Sequence, residues 1–75
     1  MAEKAPMTVK QKKLFEVFKS AITAEQEAQA MYRDAAGLCD DEEIRGILLR
    51  LSDDETRHEQ SLMKLYASYR ERFAP

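Results

Sequence analysis

The stretch LSDDETRHEQSL, Leu51 to Leu62, lies inside a long helical pattern yet puts a carboxylate and an imidazole where leucines belong. Apolar residues recur at Ile44, Leu48, Leu51, Leu62, Leu65 and Tyr69 with spacings that alternate between four and three, and the two positions completing the series are Glu55 and His58. That period marks an amphipathic helix, so the interruption falls on the face expected to be buried. Upstream, Leu14, Phe18, Ala21, Glu25, Ala28, Tyr32 and Ala35 keep the same alternation, and a carboxylate again breaks the seam.

Thr8 with Gln11 three residues on is a capping-box signature, and Pro6 argues against an earlier helix start. Gly37 is the expected C-terminal cap, Leu38 and Cys39 the turn, and Asp40 with Glu43 the start of a second helix running to about Arg72. Gly46, inside that second helix, is expected to permit a close helix approach. Strand-type alternation is absent, so the fold class is all-α: an N-terminus, 1–7, that is disordered or extended, then one unit, 8–75, made of helices over about 8–37 and 40–72.

A chain of 75 residues has little apolar surface to bury and needs a staple. The lone Cys39 cannot form an internal disulfide, so the staple is a metal, oligomerisation or both, and such cysteine usage suits a reducing compartment. No apolar run approaches the roughly 18 residues of a membrane span, and no hydrophobic signal segment follows the start; a soluble, cytoplasmic protein is expected. A net charge of -2, from 14 acidic and 12 basic side chains, creates no general field for nucleic acid or for an anionic membrane. Lys10, Lys12 and Lys13 read as a solvated helix face, and the acidic runs Asp40 to Glu43 and Asp53 to Glu55 as capping and flank with some attraction for cations.

Two antiparallel helices of about 30 residues, each about 45 Å long, make a hairpin with one contact line and no enclosed core. Heptad-like spacing on both predicts packing near a 20° crossing, so the simplest complete object is a homodimer of hairpins forming a four-helix bundle. Flanking apolar residues, among them Phe15, Ile22, Met63 and Tyr66, widen the face beyond a two-stranded seam.

Counted from the turn, Glu25 lies about 14 residues back and Glu55 about 16 on, both roughly 20 to 24 Å away, so they meet at one level. His58 follows Glu55 by one turn on the same face. A symmetric dimer therefore gathers two copies each of Glu25, Glu55 and His58. Burying four carboxylates uncompensated costs several kcal/mol per ion, too much for a domain whose whole stability is about 5 to 15 kcal/mol. Two divalent cations cancel that charge, and mixed carboxylate and imidazole ligation suits iron or manganese, whereas structural zinc favours thiolates.

At these residues, within AITAEQEAQAMYRDAAG and LLRLSDDETRHEQSLMKLY, the sequence resembles the ferritin-like superfamily and specifically its rubrerythrin branch. The shared pattern is Glu25, Glu27 and Tyr32 followed by Glu55-Thr-Arg-His58, covering about residues 14 to 66. Di-iron bundles of this kind use one Glu from each of two helices and a Glu-x-x-His from each of the other two. The resemblance implies Glu55 bridging two metals, Glu25 and His58 as terminal ligands, and Tyr32 donating a hydrogen bond to a ligand carboxylate. It implies two Fe ions per dimer, with Mn or Zn as substitutes, and oxidation of Fe(II) by dioxygen or peroxide, that is, ferroxidase or peroxidase chemistry. Glu27 lies about 200° around the helix from Glu25 and should face outward.

The two-helix form is also similar to the encapsulated ferritins, half-ferritins whose site spans a dimer interface and whose partner is a protein-shell compartment. Those carry a further C-terminal helix and a shell-targeting tail, and the sequence to Pro75 contains neither. With one cysteine, a rubredoxin-type iron centre is excluded. Against the di-iron reading stand a redox-inactive bundle stapled by a cation and a plain interaction module using Glu55 and His58 as polar register devices.

Overall fold

The computed structural model describes residues 5–74, so part of the N-terminal stretch 1–7 lies outside the described residues. It consists of α1 (Val9–Leu38) and α2 (Glu42–Phe73), packed along each other as a hairpin. The molecule measures 60 × 19 × 12 Å. Its smallest dimension is that of one helix, so the hairpin is a lath with two broad faces.

The start of α1 is as the sequence predicts. Gln11 N–H donates to Thr8 Oγ1 at 3.1 Å, and Thr8 N–H donates to Gln11 Oε1 at 2.8 Å. The turn differs from expectation. α1 runs through Gly37 and ends at an extended C-cap, Cys39, and no described residue adopts a positive φ, so the glycine's left-handed freedom goes unused. Arg45 explains why: its Nε and Nη2 donate to the Cys39 carbonyl at 3.2 and 2.8 Å, capping the end of α1 from α2. The N-cap of α2 is Asp41 rather than Asp40, with Asp41 Oδ1 accepting from Ile44 N–H at 2.9 Å. Glu42 and Glu43 in the first turn and Arg70 and Arg72 in the last complement the helix dipole. A Cβ at Gly46 would meet nothing within 4 Å, so this glycine mediates no close approach within the chain.

The contact line between the helices keeps Phe18 and Tyr69 of the seam read in the sequence but departs from it elsewhere. Phe15, Phe18, Gln29 and Ala36 of α1 and Ser52 of α2 are buried, while Leu14, Ile44, Leu51 and Leu65 of the expected seam are exposed. At about 100° per residue, positions such as Leu14 and Phe15 head adjacent stripes, and a two-helix hairpin can bury only one stripe of each helix. The second stripe remains open along one broad face. Towards the open end the buried stripe is aromatic: Phe15 meets Tyr66 and Tyr69 edge-on with centroids 5.6 and 4.9 Å apart, and Phe18 meets Tyr69 at 5.4 Å. Each such ring contributes about 1.5 to 3 kcal/mol by burial, with edge-to-face geometry adding about 0.5 to 1.5 kcal/mol. Tyr66 and Tyr69 are thus packing residues, as the sequence suggests.

Candidate metal centre

Midway along the rod, Glu25 on α1 and Glu55 and His58 on α2 converge. His58 Nδ1 lies 3.7 Å from Glu25 Oε2 and 3.5 Å from Glu55 Oε2, and one ligand atom from each of the three residues falls within 4.8 Å of the others. The level match counted from the turn is therefore realised in the fold. Glu55 and His58 stand one turn apart on α2, and the hairpin carries Glu25 to the same height from the other strand of the rod.

The three side chains differ in exposure. Glu25 and Glu55 are 22% and 21% exposed and lie where the buried stripe meets the open one, whereas His58 is 60% exposed on the open face. Glu25 Oε2 is buried and has no hydrogen-bond partner. An orphaned oxygen of this kind costs about 1 to 3 kcal/mol, more when charged, and a cation between the carboxylates removes that cost. The donor set fits such an ion: carboxylate oxygens with an imidazole nitrogen suit iron or manganese and are acceptable to zinc.

The other residues singled out in the sequence are placed as follows. Tyr32 is half-buried, and no hydrogen bond joins its hydroxyl to either carboxylate within the single chain. Glu27 is exposed. Cys39 is in the turn, its Sγ 3.5 Å from the Asp41 carbonyl. Asp54 pairs with Arg57 on its own helix.

Beside the cluster, across the two helices, lies a polar layer that the sequence reading missed, running from buried Ser52 and Gln29 to the exposed hydrogen bond between Gln26 and Glu59. Gln29 Nε2 donates to Glu59 Oε1 at 2.9 Å and Gln26 Nε2 donates to Glu59 Oε2 at 2.6 Å. Thr56 Oγ1 donates to Gln29 Oε1 at 3.0 Å, with the Ser52 carbonyl at 3.1 Å, and Ser52 Oγ donates to the Gln29 carbonyl at 3.3 Å. Hydrogen bonds from Gln29 and Gln26 hold the Glu59 carboxyl below its ordinary value, outweighing the opposite effect of desolvation. The signal available in the sequence was the run of Ser52, Thr56 and Glu59 at four-three spacing, level with Gln26 and Gln29.

Among the described residues no helix is long and apolar enough to cross a membrane. No curated protein and no solved structure matches the chain significantly. Residues 3–73 match the rubrerythrin family, nearly the whole chain, and the chain belongs to that family.

Proposed function

We propose that the protein is a di-iron carboxylate oxidoreductase whose centre is completed by two copies of the chain, oxidising Fe(II) with dioxygen or peroxide. The observation that carries this reading is the convergence of Glu25, Glu55 and His58 around an orphaned carboxylate oxygen at the edge of an open apolar stripe. Membership of the rubrerythrin family supports iron as the metal. Two carboxylates and one imidazole are too few to enclose an ion, and a second copy seated on the open stripe doubles the set to four carboxylates and two imidazoles. Two divalent ions offset the four negative charges.

Glu25, Glu55 and His58 would hold the iron, and ferrous ions held there would supply the electrons that reduce dioxygen or peroxide. The protein's own contribution is placement and exclusion. The carboxylates are fixed by the hairpin, the imidazole offers a nitrogen from the exposed side, and Tyr32 supplies a hydroxyl on the Glu25 face. Leu51, one turn from Glu55, keeps water from the ions once it is covered.

Charge favours an end-for-end pairing of the copies. Residues 5–24 and 56–74, the open half of the rod, carry eight basic and three acidic side chains, while 26–54, the turn half, carries eight acidic and three basic. A twofold axis across the rod at the level of Glu25 and Glu55 sets each acidic turn beside the partner's basic open end. A twofold along the rod would stack like charges instead.

The test is anaerobic loading with ferrous ion, metal analysis and solution mass on the same fractions, then exposure to air or peroxide. The expected result is a dimer with about one iron per chain, ferric absorbance on oxidation, and loss of the iron in Glu55→Ala. A dimer that holds metal but develops no ferric absorbance would identify a redox-inactive staple, and a chain that holds no stoichiometric metal would identify an interaction module.

A further inference from the structure

We infer that the polar layer of Gln29, Thr56 and Glu59 is a register device, a set of positioning residues that fixes how α1 and α2 slide past each other and so brings Glu25 level with Glu55 and His58. The inference rests on the metal-site reading above but concerns residues outside the ligand set. Gln29 is only 8% exposed and Ser52 1%, while the buried apolar residues among those described are Phe15, Phe18 and Ala36. A short hairpin with so little core does not place polar groups at its centre for stability, because apolar residues of the same shape there would be neutral or better.

Polar groups at a helix interface specify alignment. Apolar contact is non-directional, and helices with a four-three pattern on both sides can repack one turn along with much of that contact restored. Hydrogen bonds, by contrast, are directional and pair particular groups. The Gln29 amide is used at both ends, its oxygen by Thr56 and its nitrogen by Glu59, and both partners lie on α2. Sliding by one turn, about 5.4 Å, separates Gln29 from Thr56 and Glu59 together.

The layer is also at the right height. Thr56 follows Glu55 directly, Glu59 follows His58 directly, and Gln29 lies one turn beyond Glu25. Each ligand is therefore within about a helical turn of a residue pinned across the interface. A metal site tolerates displacements of only about 0.5 Å, so alignment of the helices and affinity for the ion are coupled here. The Gln26 and Gln29 amides both donate to the Glu59 carboxylate, so its two oxygens are taken up across the helix pair.

The test uses Gln29→Leu/Thr56→Val, which replaces the pinned groups by apolar ones of similar shape, in the full chain. Two readouts are taken. In the metal-free protein, NMR contacts between the rings of Phe15 and Tyr66, Phe15 and Tyr69, and Phe18 and Tyr69 report alignment; the wild type shows one set and the variant several sets or broadened ones. Titration with Mn2+ reports the site, and affinity falls at least about ten-fold, while helicity and Tm hold or rise. A structural role alone would lower Tm and affinity together. The exchange variant Glu59→Gln/Gln29→Glu, which swaps donor and acceptor, recovers the single set of ring contacts, whereas Gln29→Glu alone does not. Unchanged ring contacts with unchanged affinity in the Leu/Val variant would overturn the inference, as would a fall in Tm parallel to the fall in affinity. Wild-type protein that binds no Mn2+ would overturn the metal-site reading and the positioning role built on it, while the ring contacts would still decide the alignment.

Discussion

Replacing Glu25 by leucine should stabilise the metal-free protein while abolishing its response to metal, two effects of opposite sign from one side chain. In the metal-free chain Glu25 Oε2 is buried without a hydrogen-bond partner, His58 Nδ1 standing 3.7 Å away, at a position whose neighbours along the helix face include Ala21, Ala28 and Tyr32. Removing an orphaned buried polar atom and supplying an apolar side chain recovers about 1 to 3 kcal/mol. For a domain of this size each kcal/mol shifts the midpoint by about 4 to 8 °C, so Tm should rise by roughly 5 to 20 °C. Metal acts the other way on the two proteins. At a free ion concentration of about 100 times Kd, linkage stabilises wild type by about 2.7 kcal/mol, a rise of roughly 10 to 20 °C, whereas Glu25→Leu gains nothing. Thermal denaturation followed by circular dichroism, with chelator and with Mn2+, measures all four states. A metal-free Tm that falls in Glu25→Leu would show that the carboxylate is already satisfied, and a surviving metal response would show that Glu25 is not a ligand. Either refutes the site as described.

Phe15→Ala should cost about 3 to 5 kcal/mol, since it removes a buried ring that touches both Tyr66 and Tyr69, and urea titration of the metal-free protein should show most of its stability lost. Glu59 has a lowered folded value, so its contribution is present above the ordinary carboxylate range and disappears as pH falls through that lowered value. Tm measured from neutral into acid should therefore drop less steeply in Glu59→Gln than in wild type, from a lower neutral starting point. Spin labels on the native Cys39 should report a separation of about 40 to 45 Å in a dimer held by diamagnetic Zn2+, twice the height of the turn above Glu25. A separation below about 25 Å would reverse the end-for-end pairing. Raising salt from low to about 1 M should weaken that dimer, because its opposed ends attract.

Much of the fold is legible because it rests on local chemistry. The Thr8 and Gln11 capping box, the helical four-three spacing and the lack of strand alternation are properties of short windows, and the described residues hold that capping box, two long helices and no strand. The site is legible for a related reason: in a hairpin, height is fixed by counting residues from the turn, and that count brings Glu25, Glu55 and His58 together. What the sequence conceals is which stripe faces which neighbour. Leu14, Leu51 and Leu65 look like core because they are the most apolar positions at helical spacing, yet they are open in the single chain. Gln29, Ser52, Thr56 and Glu59 look like a solvated face because their hydrogen-bond partners are each other, a fact that exists only once the helices are apposed. The turn misleads for the same reason, since the carbonyl that Gly37 was expected to relieve is taken by Arg45 from across the loop.

The lath is a single helix thick, and this sets how its chemistry must depend on the amount of protein present. A sheet of that thickness has no inside, so His58 faces bulk solvent until something else lies on it. If that something is a second copy, turnover per chain is not a constant: below the dissociation constant of the pair it falls in proportion to concentration, and total rate grows with its square. A dilute chain would then be inert toward iron and oxidant alike, and accumulation of the protein would itself be the switch.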